Sequence, residues 1–194
     1  MPMPFDAMND TPDEALLVLY ANGDHAAAKA LMMRMAPRVL GYAARLLNER
    51  TEAEDVVQEA MLRLWKIAPD WRQGEAKVTT WLYRVVTNLC TDRLRKRRDV
   101  ALDAVAEPDD GRASVAQGMI ESQRAAALTA ALATLPERQR QAVVLRHLEG
   151  ATNPEIAQVL EISVEAVESL TARGKRALAS ALADQRQELG YSDD

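Results

Sequence analysis

The sequence holds one cysteine, Cys90, and two histidines, His25 and His147, that lie far apart along the chain. That excludes a disulfide within the chain and leaves a zinc site without its usual donors. No stretch approaches the roughly 18 uncharged apolar residues of a membrane span. The N-terminus lacks a basic segment followed by an apolar run, so no signal peptide is read there. No glycine-rich phosphate cradle is present. Glu54, Asp55 and Glu59 are acids on one predicted helix, but neither histidine nor cysteine joins them, which disfavours an enzyme. A positive excess is missing too: 24 Lys+Arg stand against 29 Asp+Glu, a net charge of -5. This argues against an undirected nucleic-acid coat and leaves room for a local basic patch. The expectation is a soluble cytoplasmic protein without catalytic residues, metal or cofactor.

What is present favours helices. Ala and Leu dominate, aromatics are only 4%, and apolar residues recur at helical spacing. The 194 residues suffice for one compact domain or two small ones. Residues 77–98 organise the rest. Val78, Trp81, Leu82, Val85, Val86, Leu89, Cys90 and Leu94 line one helical stripe, and the helix ends in Arg93, Arg95, Lys96, Arg97 and Arg98. A helix dipole accounts for one or two C-terminal cations, not for this run. The run points to a polyanion such as DNA or RNA, or else to a solubilising helix end before a linker.

Upstream, residues 1–10 read as a frayed end. Thr11, Pro12 and Glu14 read as a capping box, and Asn22-Gly23 as a stop. Asp24 caps a long helix that Pro37 is expected to kink or split. Thr51 and Glu54 read as a second capping box, opening a helix that buries Val56, Val57, Met61, Leu64 and Trp65. Pro69 ends it, and residues 70–77 form a loop with Gly74 as its flexible point. Residues 11–98 are thus one all-helical domain. Residues 99–122, acidic with Pro108, Gly111 and Gly118, read as a flexible linker. The second domain covers 123–185. A helix with Leu128 and Leu132 is followed by a Thr134/Glu137 capping box and a helix carrying Ala142, Val143, Leu145 and Leu148. Then come a Thr152/Glu155 box, a short helix with Ile156, Ala157 and Leu160, the break 161–163, and a longer helix capped by Ser163. Two helices separated by a three-residue break make a helix-turn-helix pattern, in which the second helix enters the major groove by its first turns. A plain helical bundle without nucleic acid would show much of the same pattern.

Three motifs in order then carry a specific likeness. Residues 53–65 (AEDVVQEAMLRLW), residues 81–88 (WLYRVVTN) with Asp92, and LPERQR at 135–140 with Glu155-Ile156-Ala157 and Ile162-Ser163-x-x-Ala166-Val167 resemble regions 2.2, 2.3–2.4 and 4 of the extracytoplasmic-function (ECF) sigma factors of bacterial RNA polymerase, of the sigma-E-like kind. The resemblance implies two small helical domains, a region 2 bundle and a region 4 helix-turn-helix, joined by the linker. It implies an alternative sigma factor that binds core polymerase, recognises and melts promoters, serves a stress response and is held inactive by an anti-sigma factor. Core polymerase would meet Asp55, Gln58, Glu59, Leu62, Arg63 and Lys66. The single-stranded -10 element would meet Trp71, Lys77, Thr80, Arg84 and Asn88, with phosphates held by Arg93, Arg95, Lys96, Arg97 and Arg98. The -35 duplex would meet Ser163, Glu165, Ala166, Glu168, Ser169, Arg173, Lys175 and Arg176. Any zinc in an anti-sigma complex would belong to the partner chain. One departure stands out: many relatives carry basic residues where this chain has Glu168 and Leu170. A DNA-binding regulator that works without polymerase, and a protein-binding adaptor, stay open as alternatives on the residues alone.

Overall fold

The computed structural model describes residues 8, 10–72, 74, 76–103 and 119–188, with side chains described except at 102–103, 119–124 and 184–188. Its regular elements are helices: α1 (Asp13–Ala21), α2 (His25–Leu47), α3 (Arg50–Ile67), a 3-10 turn (Ala68–Asp70), α4 (Val78–Asp103), α5 (Met119–Ala133), α6 (Glu137–His147), α7 (Asn153–Leu160) and α8 (Val164–Glu188). The architecture is all-α with two helical clusters, α1–α4 and α5–α8.

The helix starts divide into those the local sequence settles and those it does not. Asp24 accepts from the amides of Ala26 and Ala27 at 3.0 and 3.4 Å. Thr152 and Glu155 form the reciprocal box expected of them, and Ser163 Oγ accepts from the Ala166 amide at 3.2 Å. Three other boxes do not form. Pro12 and Pro136 occupy the N-cap positions of α1 and α6 with no side-chain cap. Glu14 instead reaches across and accepts from the Val78 amide at 3.0 Å, serving the start of α4. Glu49, not Thr51, caps α3, accepting from the amides of Thr51 and Glu52 at 2.7 and 2.6 Å. Its carboxyl lies below the usual range because of those amides. Thr134 Oγ1 donates back to the Ala131 carbonyl.

Pro37 neither ends nor divides α2, which runs unbroken through it on its exposed face. There the carbonyl left without its amide partner can be met by water. Gly23, at its expected stop, Gly74, in the expected loop, and Gly150, after α6, take positive φ. Within the segment 99–122 expected as a linker, α4 continues through Asp103 and α5 begins at Met119. Residues 104–118 lie outside the described residues, as do 1–7 and 9 of the frayed end, Gln73 and Glu75 of the loop, and 189–194. Met8, assigned to the frayed end, is fully buried. Arg34 holds it by donating to the carbonyls of Met8 and Thr11.

The first cluster buries Leu16, Leu31, Leu46, Val56, Met61, Leu64, Leu82 and Val86. The second buries Leu132, Leu145, Ile156 and Val167, and the buried residues form one continuous core across both. Leu148, expected inside, is 40% exposed. Gly174 has no room for a side chain: a Cβ there would sit 2.6 Å from Val143 Cγ2. This close approach seats α8 on α6.

Candidate nucleic-acid interface

Three surfaces predicted from sequence are found on separate helices. On α3, Asp55, Gln58, Leu62, Arg63 and Lys66 are exposed and Glu59 half-buried. Spacings of three and four put them on one face. Leu62, 60% exposed, is an apolar side chain in the middle of that charged face. Glu59 accepts from Arg63 at 2.5 Å.

On α8, Ser163, Glu165, Glu168, Ser169, Arg173, Lys175 and Arg176 are exposed and Ala166 half-buried. α7 braces the helix across the turn at Glu161, whose φ of 54° turns the chain between them. The helix-turn-helix thus has the geometry its sequence predicts. Glu165 lies below the ordinary carboxyl range, held by its own backbone amide and by Ser163. Its negative charge stands at the end that would approach DNA.

The third surface is on α4 and the loop before it, and here the two clusters meet. Lys77, Thr80, Arg84, Asn88, Thr91, Arg95 and Arg98 recur every three or four residues, making a polar stripe opposite the apolar one. Lys77 Nζ lies 2.7 Å from Glu155 Oε1 of α7. That ammonium draws the Glu155 carboxyl down to about 2. Arg84 pairs with Glu161. Thr91 Oγ1 donates to Glu137 Oε1 at 2.8 Å, and Arg98 pairs with the other Glu137 oxygen at 3.3 Å. Between them, Tyr83 donates to Glu149 Oε2 at 2.6 Å, and Arg45 lies 3.4 Å from Glu149 Oε1. Only 8% of the Glu149 side chain is exposed. Burial, then the bond to Glu149, raises the Tyr83 phenol well above its ordinary value.

Tyr42 stacks edge-on against Tyr83 with centroids 5.2 Å apart. Thr87 donates to the Tyr83 carbonyl, so the Tyr42 hydroxyl, 2.8 Å away, donates to Thr87. Arg140 closes the lower end of the seam, donating to the carbonyls of Leu46 at 2.7 Å, Ala133 at 3.2 Å and Leu135 at 3.3 Å.

The residues predicted to bind the -10 element are therefore not all alike. Lys77, Arg84 and Arg98 carry partners from the second cluster. Thr80 is buried, 7% exposed, and borders a cleft of about 380 Å³ between the loop and α7 that Lys77, Glu155 and Gln158 also line. Arg97 turns the other way: it pairs with Glu52 of α3 at 2.7 Å and donates to the carbonyl of Leu47 at the end of α2, tying α4 to both. Trp71 lies edge-on to Trp81, 6.4 Å between centroids, packed against the core with its Nε1 buried and unpartnered. Arg93 is half-buried, while Asn88, Arg95 and Lys96 are exposed. Arg95 pairs with Asp92 at 3.4 Å.

Sequence reasoning missed Tyr83, Thr91 and the glutamates at 137, 149 and 161 as parts of this seam, and assigned Glu155 a cap role only. Glutamates at helix ends read as caps or solvated charge, so no local signal marks their partners 39 to 104 residues away. Among the described residues no group of three or more His, Cys, Asp or Glu is placed to hold a metal. No helix there is long and apolar enough to cross a membrane.

Residues 31–100 match the family model for Sigma-70 region 2, and residues 125–178 that for Sigma-70 region 4. The chain is 33% identical to the ECF RNA polymerase sigma factor SigE of Mycolicibacterium smegmatis, over 90% of this chain and 70% of that one. It is 34% identical to the ECF RNA polymerase sigma factor SigM of Mycobacterium tuberculosis, over 92% and 88%. Among solved structures, CnrH in complex with the cytosolic domain of CnrY superposes with a TM-score of 0.66 at 27% identity, covering 89% of this chain and 97% of that one. The sigma factor RpoE of Bartonella quintana, solved with the anti-sigma factor NepR, shares the fold at 20% identity with a TM-score of 0.64, over 80% and 96%.

Proposed function

The chain belongs to the ECF sigma factors of bacterial RNA polymerase, and from that premise we propose how its surfaces divide the work. As a sigma factor it binds core RNA polymerase and directs promoter recognition. The α3 face from Asp55 to Lys66 is the polymerase contact. Exposed Leu62 supplies apolar area at its centre, and the surrounding charges set orientation. The 70–80 loop with the α4 stripe holds the single-stranded -10 element. Arg84 and Asn88 lie along the strand, and Arg93, Arg95, Lys96 and Arg98 neutralise phosphates. The first turns of α8 read the -35 duplex, with Ser163 and Ser169 at base edges or phosphates and Arg173, Lys175 and Arg176 on the backbone. The functional units are residues 11–98 and 123–185 with the acidic segment 99–122 between them, the helical ends at 99–103 and 119–122 extending each unit.

The observation that carries this reading is one polar stripe running from Lys77 to Arg98 on the same chain as a capped helix-turn-helix. Adding the protein to core polymerase tests it. Transcription from a template bearing -35 and -10 elements is expected only when both are present. Binding to such a template without stimulating core polymerase would instead favour a regulator acting alone.

We further propose that an anti-sigma factor holds the protein inactive and that its release serves a stress response. Support comes from the likeness to CnrH, solved with the cytosolic domain of CnrY. Such a partner would cover the α3 face or brace the two clusters. In this conformation the seam between them is filled by the chain's own side chains, so a partner inserted there would have to displace these pairs. A pull-down followed by competition against core polymerase checks this. A partner that binds together with polymerase would refute the exclusion.

A further inference from the structure

Four ion pairs among the described residues join the clusters with the cation on the first and the carboxylate on the second: Arg45–Glu149, Lys77–Glu155, Arg84–Glu161 and Arg98–Glu137. The acids come from the ends of α6 and α7 and from the turns after them, and together they follow α4. From Lys77 to Arg98 that helix face runs roughly 30 Å. Along it the carboxylates take up donors of the kind that bind phosphate: an ammonium, guanidinium groups, a phenol and the Thr91 hydroxyl.

We propose that Glu137, Glu149, Glu155 and Glu161 form an acidic row that occupies the place of a nucleic-acid backbone on α4, so that the free chain excludes single-stranded DNA from its own -10 reader. This rests on the reading of α4 as that reader. The four acids act differently. Glu149 is enclosed and bonded to Tyr83, which sets the register of the seam. Glu155 and Glu161 meet exposed cations, Lys77 at 67% and Arg84 at 47%, and Glu137 meets Arg98 at 66%. Exposed pairs are individually weak and salt-screened. Those three pairs therefore yield at modest cost while Glu149 and the shared core hold the seam, and a polyanion competes with the row for the same donors. The Thr152–Glu155 capping box is satisfied whether the seam is open or closed, because the second oxygen of Glu155 holds Thr152 while the first holds Lys77. Opening then leaves α7 folded.

The test uses the full chain without polymerase, a fluorescein-labelled oligothymidine of about 20 nucleotides as probe, and the variant Glu137→Gln/Glu155→Gln/Glu161→Gln. Anisotropy should show the variant binding at least about tenfold more tightly, three exposed pairs each shifting the open fraction roughly two- to fivefold. Its affinity should also fall more steeply with salt than the wild type's, because in the wild type salt loosens the row as well as the DNA. Glu161→Gln alone, at an exposed turn, should move affinity the same way by about two- to fivefold, which covers any folding defect of the triple variant. Unchanged DNA affinity in both variants overturns the proposal. A separate arm tests the reading beneath it. In complex with core polymerase, Arg84→Ala should weaken promoter binding. If it does and the glutamine variants change nothing, the acidic row alone is wrong; if it does not, the α4 reading falls and takes the row with it.

Discussion

Replacing Gly174 by alanine should loosen the seat of the -35 reader. An added Cβ would lie 2.6 Å from Val143 Cγ2 and 3.2 and 3.3 Å from the carbonyl oxygen and Cβ of Gln139. Carbon atoms rest at about 3.5–4.0 Å, so α8 must move about 1 Å from α6, or Val143, 1% exposed, must leave its rotamer. Overpacking of this kind costs about 1–3 kcal/mol. Alanine recovers up to about 1 kcal/mol through helix propensity. The net expectation is a loss of about 1–2 kcal/mol, a fall in Tm of about 2–8 °C for a chain of this size. Val143→Ala removes the clashing methyl and should cost about 1.5 kcal/mol by itself. In the double variant the new methyl takes part of the vacated space, so the two losses should not add, with a coupling of at least about 1 kcal/mol. Thermal and urea unfolding of the four proteins measures the cycle. A duplex carrying the -35 element should lose affinity for Gly174→Ala and regain it with the double variant. A Gly174→Ala protein as stable as the parent, or strictly additive losses, would refute the close approach.

Five further outcomes are expected. Arg95→Ala/Lys96→Ala in complex with core polymerase should lower the slope of log affinity against log salt by about 1.4 for single-stranded contacts, with Tm unchanged. Arg97→Ala, which breaks a tie to α3, should instead lower stability by roughly 1 kcal/mol. Glu168→Lys should raise duplex affinity irrespective of sequence, because it replaces a like charge facing phosphate; footprinting that is indifferent to every change from Ser163 to Arg173 would place the -35 surface elsewhere. Trp81→Ala should cost roughly 3 kcal/mol and be seen in the melting curve; an unchanged Tm with lost promoter opening would make Trp81 a base contact. Burial pushes the Cys90 thiol up to about 12, so at pH 8 a thiol reagent should label it only as fast as the chain opens; rapid labelling of folded protein would contradict the packing.

The sequence by itself determined the helices, their apolar faces and most of their ends. These depend on contacts within a few residues, and the spacing of Val78, Leu82, Val86 and Leu89 or the Thr152/Glu155 box expresses them directly. It also placed the three proposed contact surfaces on their helices, since exposed polar residues at three- and four-residue intervals share a face whatever surrounds the helix. Choices between neighbours were decided only in three dimensions. Glu49 displaced Thr51 as a cap and Glu14 was drawn to α4, because the direction in which the chain enters a helix depends on what the helix packs against. The basic run did not show that Arg97 faces Glu52 while Arg98 faces Glu137, since adjacent residues on a helix point about 100° apart and the neighbours on each side come from distant sequence. Tyr83 is enclosed between Tyr42 of α2 and Glu149 of the second cluster, which docks there. That docking rests on glutamates whose partners no periodicity records, because an ion pair across 78 residues leaves no trace in the local pattern of either one.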